Sequence, residues 1–208
     1  MLEWIRRLFS GPAVKKSEDP APALPNEGAF AATIPPLENT QESADPFAAF
    51  LPFQIRPLQS QDLSKLISVF RDAIQVSTAN HYDQEQRDAW SRAQSHESLI
   101  SLLSEGETVV AEWDQELVGF AQRIRDCINM IYVHPDSARV GIATLLYQHL
   151  EDSARVEGVN GLTAHVSLTA HDFFQFMGFN SEGEEQADRN GVSLTRHLMR
   201  KSLVSKQA

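Results

Sequence analysis

The chain has 208 residues, 42% apolar and 22% charged, the composition of one globular domain with some chain to spare, which excludes a collagen-like or wholly disordered protein. Eighteen Lys and Arg against 28 Asp and Glu leave a formal net charge of -10, which argues against a protein that coats nucleic-acid phosphates. Cys127 is a lone cysteine and the seven histidines show no His-x3-His spacing, so neither a disulfide nor a structural metal is expected, and the expected setting is reducing and cytoplasmic.

No apolar run approaches the roughly 18 residues of a membrane span. At the start, Trp4, Ile5, Leu8 and Phe9 fall on one helical face with Arg6 and Arg7 opposite, which predicts a short amphipathic helix over 2–10 whose one membrane role would be weak surface docking. Nine of the ten prolines lie at or before Pro57. The polar, Ala-rich stretch around them cannot bury enough apolar surface to offset an ordering cost of about 1–2 kcal/mol per residue, so residues 1–52 are expected to be a mostly disordered arm.

From Phe53 the pattern changes to that of a folded unit. Residues 53–58 alternate as a strand, and Ser60 is positioned to cap a helix carrying Leu63, Leu66, Ile67, Phe70 and Ile74. Asp83-x-x-Gln86 has capping-box spacing for a second helix through Trp90, whereas 99–103 fits helix or strand equally. Two β-rich runs, 108–113 and 117–124, flank a three-residue loop, and a third, 128–133, stops at His134-Pro135. A helix then carries Ile142, Leu145, Leu146, Leu150 and Val156, with Gly158 and Gly161 as its stop. Residues 162–168 read as a strand. Thr169-x-x-Asp172 is expected to cap a short aromatic helix ended by Gly178, and Asn190-Gly191 signals a tight hairpin. The result is a mixed α/β domain over 53–203, with a tail over 204–208.

The chemistry concentrates after the third run. Ile131-Tyr-Val-His-Pro-Asp-Ser-Ala-Arg-Val-Gly-Ile-Ala-Thr is a strand, a turn and a helix start with small residues at Gly141 and Ala143. The unpaired amides and positive dipole end of a helix start can hold a phosphate without a lysine. The Gly-x4-Gly-Lys order of a Walker loop is missing.

This segment, together with Ala170-x-x-Phe173-Phe174-x-x-x-Gly178-Phe179 at the expected separation, resembles the GNAT N-acetyltransferase superfamily over residues 53–203. The pieces His81-Tyr82-Asp83-x-x-Gln86-x-x-x-Trp90 and Arg189-Asn-Gly-Val-x-Leu are similar to a bacterial branch of it. The resemblance implies a GNAT fold, a mixed central sheet whose parallel strands splay apart between flanking helices, and acetyl-CoA as acyl donor. It places the pyrophosphate on the amides of Arg139, Val140, Gly141, Ile142, Ala143 and Thr144, the pantetheine on the strand edge at Ile131, Tyr132 and Val133, and Ser167 and Phe174 along the slot.

Three positions depart from the family pattern. Ala138 stands where Gln or Arg opens the phosphate turn, and Ser167 where Asn is common. Phe174 stands where a tyrosine protonates the departing thiolate. Thr163, His165 and Ser167 share a strand face, which makes His165 the first candidate for the base that deprotonates the acceptor amine. Asn129 is a candidate for positioning acceptor or water, and Asp126 and Glu112 are further carboxylates near the sheet. His81, Tyr82 and Trp90 are expected to wall the acceptor side, the aromatic rings offering a platform for an amine. Cys127, with no activating partner, is expected to be inert.

The expected activity is transfer of acetyl from acetyl-CoA directly to a primary amine, on a small molecule or a protein, without a metal. A catalytically weakened CoA-binding sensor or partner module and a toxin-like enzyme acting on aminoacyl-tRNA are the alternatives, and the acidic charge counts against the second. A homodimer is compatible with the sequence.

Overall fold

A computed structural model describes residues 53–204. The expectations for 1–52, including the helix over 2–10, lie outside the described residues, as does most of the tail. Among the described residues no helix is long and apolar enough to cross a membrane, and no cluster of three or more potential metal ligands occurs.

The elements follow in the order β1 (Phe53–Pro57), α1 (Leu63–Asp72) continued by a π-helical turn (Ala73–Ser77), α2 (Gln84–Arg92), α3 (His96–Leu103), β2 (Glu107–Trp113), β3 (Glu116–Ile124), β4 (Cys127–Val133), α4 (Ile142–Val156), β5 (Gly161–Ser167), α5 (His171–Phe176), β6 (Asn180–Arg189) and β7 (Val192–Ser202). One seven-stranded sheet has the order β1-β2-β3-β4-β5-β7-β6. Every neighbouring pair is antiparallel except β4 with β5.

The sheet is covered on both faces. Leu146, Leu150 and Ala154 of α4, with Phe174 of α5, pack on Ala121, Ile128, Leu162, Ala164 and Val166. On the other face Leu66, Ile67, Phe70 and Ile74 join Leu99 and Leu103 of α3 against Val110 and Phe120. The segment 99–103 is therefore helical, because its apolar positions cover a sheet face and do not extend it.

Local signals account for several ends. Asp83 Oδ1 accepts from the Gln86 amide at 2.8 Å, and Gln86 Oε1 from the Asp83 amide at 3.1 Å, completing the capping box. Asp114 and Gln115 both have positive φ, as do Asn190 and Gly191, giving the two-residue hairpin turns that match strand twist. The first of these loops is thus one residue shorter than expected.

Three caps differ from expectation. At α1 a 3-10 turn (Ser60–Asp62) precedes the helix, and Asp62, not Ser60, fixes the entry by accepting from the Gln59 amide at 2.8 Å. At α5 the strand ends earlier, a 3-10 turn (Leu168–Ala170) intervenes, and Ser167 Oγ accepts from the Ala170 amide. Thr169 Oγ1 is left buried without a partner among the described residues. Gly158 follows the C-cap of α4, but Gly161 begins β5, where an added Cβ would lie 2.9 Å from Lys201 O.

Candidate functional site

The parallel pair β4–β5 joins at just two couples, Cys127 with Thr163 and Ile128 with Ala164. Beyond them the strands part, while each stays paired on its far side, β4 with β3 up to Val133 and β5 with β7 up to Ser167. A gap thus opens between residues 129–133 of one strand and 165–167 of the other. The parting begins at a β-bulge: Gln122 pairs with Met130 and Arg123 with Ile128, so Asn129 is the extra residue. Ile128 and Ile131 consequently both reach the α4 side of the core. The His134 amide donates to Val118 O at 2.7 Å on β3. Antiparallel alternation then turns the backbone groups of Tyr132 toward β3 and those of Ile131 and Val133 toward the gap. Of the three expected edge residues, two present their amides to it. Tyr132 instead packs its ring on Phe70 and Phe120, and burial pushes its hydroxyl up to about 12, with Trp90 beside it opposing.

At the wide end of the gap stands the start of α4. Arg139 and Gly141 have φ of 67° and 96°, left-handed positions of the kind that, alternating with right-handed ones, turn successive amides toward one anion. Gly141 is the N-cap and makes no side-chain cap, so the first-turn amides of this 15-residue helix are not satisfied by a side chain. Arg139, Val140 and Gly141 are exposed, Ile142 is buried, and Ala143 and Thr144 are half-buried. A turn of this kind at a helix start, with Arg139 beside it, has the chemistry to attract an anion.

The sheet face toward α1–α3 carries polar side chains at the narrow end. Thr163 and His165 stand outward while Leu162, Ala164 and Val166 are buried, as alternation requires. His165 is the first outward side chain of β5 beyond the last paired couple. Its Nδ1 bonds Glu185 Oε1 of β6, and Arg196 of β7 pairs with the same carboxylate. Partial burial works to raise the Glu185 carboxyl, but His165 and Arg196 together hold it below the usual range. Asn129 is exposed, and its Nδ2 donates to Gln122 Oε1 at 2.7 Å. Gln122 is fully buried and its own amide donates to Leu102 O and Glu105 O. Burial pushes the Cys127 thiol up, with the Thr163 hydroxyl and Arg196 working against it and Asp126 with it, which fits an inert cysteine.

The other expected site residues fall into different places. Ser167 is occupied as a cap acceptor. Phe174 is 6% exposed and packs edge-on against Tyr147 and Phe179, so its ring serves the core. His81 is exposed. Tyr82 is not an open platform: it is 4% exposed, its hydroxyl donates to Thr195 O at 2.6 Å and accepts from the Leu168 amide at 3.0 Å, and Trp90 meets its ring edge-on at 5.5 Å. Burial raises the Tyr82 hydroxyl, against the opposing influence of Leu168 and Arg196. Glu112 pairs with Arg56 near the far edge of the sheet. Asp126 sits in the β3–β4 turn, its carbonyl accepting from the Thr163 amide.

Sequence reading missed Glu185, Arg196 and Gln122. A signal for the first two was present: counting back from the Asn190-Gly191 turn puts Glu185 opposite Arg196, an unlike-charge cross-strand pair.

Parted parallel strands leading to a helix start without a side-chain cap are a geometry that suits a long, thread-like, anionic ligand. A family model for the acetyltransferase (GNAT) domain matches residues 78–203. The uncharacterized N-acetyltransferase YafP of Escherichia coli K12 is 32% identical over 148 residues, 71% of this chain and 94% of that protein. A crystal structure of a GCN5-related N-acetyltransferase from Rhodopseudomonas palustris, also 32% identical, superposes with a TM-score of 0.70 over 72% of this chain and 95% of that one. PaiA N-acetyltransferase from Thermoplasma acidophilum, in complex with coenzyme A, shares the fold at 22% identity, with a TM-score of 0.56 over 73% of this chain and 99% of that one. The chain belongs to the GNAT family and is an acetyl-CoA-dependent acyltransferase.

Proposed function

We propose that the protein transfers acetyl from acetyl-CoA directly to a primary amine, with the coenzyme threaded through the β4–β5 gap. The observation that carries this is the two-couple pairing of β4 with β5 beside a helix start without a side-chain cap. The pyrophosphate would meet the amides from Arg139 to Thr144. The pantetheine would complete the β4 edge at Ile131 and Val133, and a β4 amide near the bulge would polarise the thioester carbonyl.

An amine of pKa about 10.4 costs about 4.6 kcal/mol to deprotonate at pH 7, so a base is needed. His165 takes that role: it stands where the strands part and accepts one proton from the acceptor ammonium. The neutral amine attacks the thioester carbon, the C–S bond breaks, and the proton still on nitrogen passes to the thiolate, giving amide and CoA thiol. No side-chain acid is supplied at Phe174. A thiol pKa near 8.5 makes the thiolate a tolerable leaving group, and water suffices to protonate it.

The test is thiol release from acetyl-CoA over a panel of small amines, amino acids and lysine peptides. Acceptor-dependent release is expected. Tight acetyl-CoA binding with no turnover on any acceptor would favour a sensor module instead.

A further inference from the structure

We infer that Glu185 is a positioning residue for His165, so that a carboxylate on β6 sets which nitrogen of the proposed base carries its proton. The inference rests on the reading of His165 as the base. Ser167, Arg196 and Glu185 lie in one lateral row across β5, β7 and β6, because Ser167 pairs with Arg196 and Arg196 with Glu185. His165 stands two couples along, opposite Leu198, whose partner on β6 is Gly183. No side chain on β6 lies straight across from His165, and its ring reaches diagonally to Glu185 through Nδ1.

Arg196, on the strand between them, pairs through Nε with the same carboxylate oxygen, Oε1. Partial burial raises the Glu185 carboxyl, but the contact with His165 and the Arg196 guanidinium hold it below the usual range, so it is ionised. An ionised carboxylate is an acceptor only. Nδ1 must then carry the hydrogen, and the lone pair of the neutral ring falls on Nε2, which has no bonding partner among the described residues. Nε2 is thus the atom that takes the ammonium proton, directly or through one water. When it does, Glu185 faces the imidazolium that forms and stabilises it, as a carboxylate does for a triad histidine.

Glu185→Gln keeps size and shape but can offer an amide N–H to Nδ1, which selects the opposite tautomer and blocks Nε2. The full-length protein with 15N-labelled histidine, observed by long-range proton–nitrogen correlation at a pH where the ring is neutral, reads the tautomer directly, with His165→Gln assigning the signal. The wild type is expected to show the Nδ1–H form, and Glu185→Gln to lose that preference. Its kcat is expected to fall about tenfold or more with KM for acetyl-CoA unchanged. A wild-type Nε2–H tautomer, or an unaltered kcat in Glu185→Gln, overturns the inference. If His165→Gln leaves the pH profile of kcat unchanged while the Nδ1–H form persists in the wild type, the base reading fails and the catalytic role of Glu185 falls with it, although the pairing itself stands.

Discussion

Gly141 shows how much of the site depends on one backbone angle. Its φ of 96° suits glycine, and an added Cβ would meet nothing within 4 Å, so substitution acts through strain and the shape of the turn, with no steric clash. Gly141→Val is expected to cost about 1–3 kcal/mol of stability, shifting Tm by several degrees, while Kd for CoA rises about tenfold or more. Calorimetry beside a melting curve checks both; unchanged affinity would remove the pyrophosphate from this turn. Arg56 and Asp62 form the other decisive single contact, a doubly hydrogen-bonded ion pair at 2.7 and 2.9 Å with Asp62 nearly buried. Arg56 holds the Asp62 carboxyl below the usual range, against burial, which pushes it up. A depressed carboxyl stabilises the fold fully above its unfolded value near ~3.9 and loses that contribution as pH falls through the folded value. Asp62→Asn is therefore expected to lose about 2–3 kcal/mol at pH 7, and its Tm gap to the wild type is expected to narrow below about pH 4.

At the scale of elements, the segment leading into α2 is tied to β7 and to the turn after β5 through one phenol. Tyr82→Phe would leave the Leu168 amide and Thr195 carbonyl without that partner, at an expected cost of about 1–3 kcal/mol in denaturant unfolding. A loss below about 0.5 kcal/mol would show that water replaces the hydroxyl. This tie marks the boundary of what local pattern reveals. The α2 cap was legible because Asp83 and Gln86 are three residues apart, and the β6–β7 register because Asn190-Gly191 admits one tight turn. The burial of Tyr82 was not, since it depends on residues 86 and 113 positions away, so a side chain that reads as an open aromatic wall turns out to be a strut. Likewise, periodicity found β4 but not the bulge at Asn129, which exists only in register with β3.

For the whole molecule, the sheet's order explains why the gap exists. β4 and β5 are the one parallel couple, joined by the α4 crossover, and antiparallel partners hold each strand on its outer side. The two strands can therefore diverge without either losing its sheet. At the β6 edge Glu182, Glu184 and Asp188 are exposed, so pairing two copies edge to edge there would crowd carboxylates. The net charge of -10 repels an anionic coenzyme at long range, whereas the turn before α4 attracts it only nearby. Raising salt from about 20 to about 200 mM is accordingly expected to speed CoA association in stopped flow; slower association would place a wider basic field around the gap. The fold class and the turn before α4 were legible in sequence because each rests on contiguous motifs, while the Glu185–His165–Arg196 group needed three strands side by side. The most direct measurement is isothermal titration of CoA into the folded full-length protein. One saturable site per chain is predicted, weakened by Gly141→Val, and correctly folded wild-type protein that takes up no coenzyme A species would contradict the account at its root.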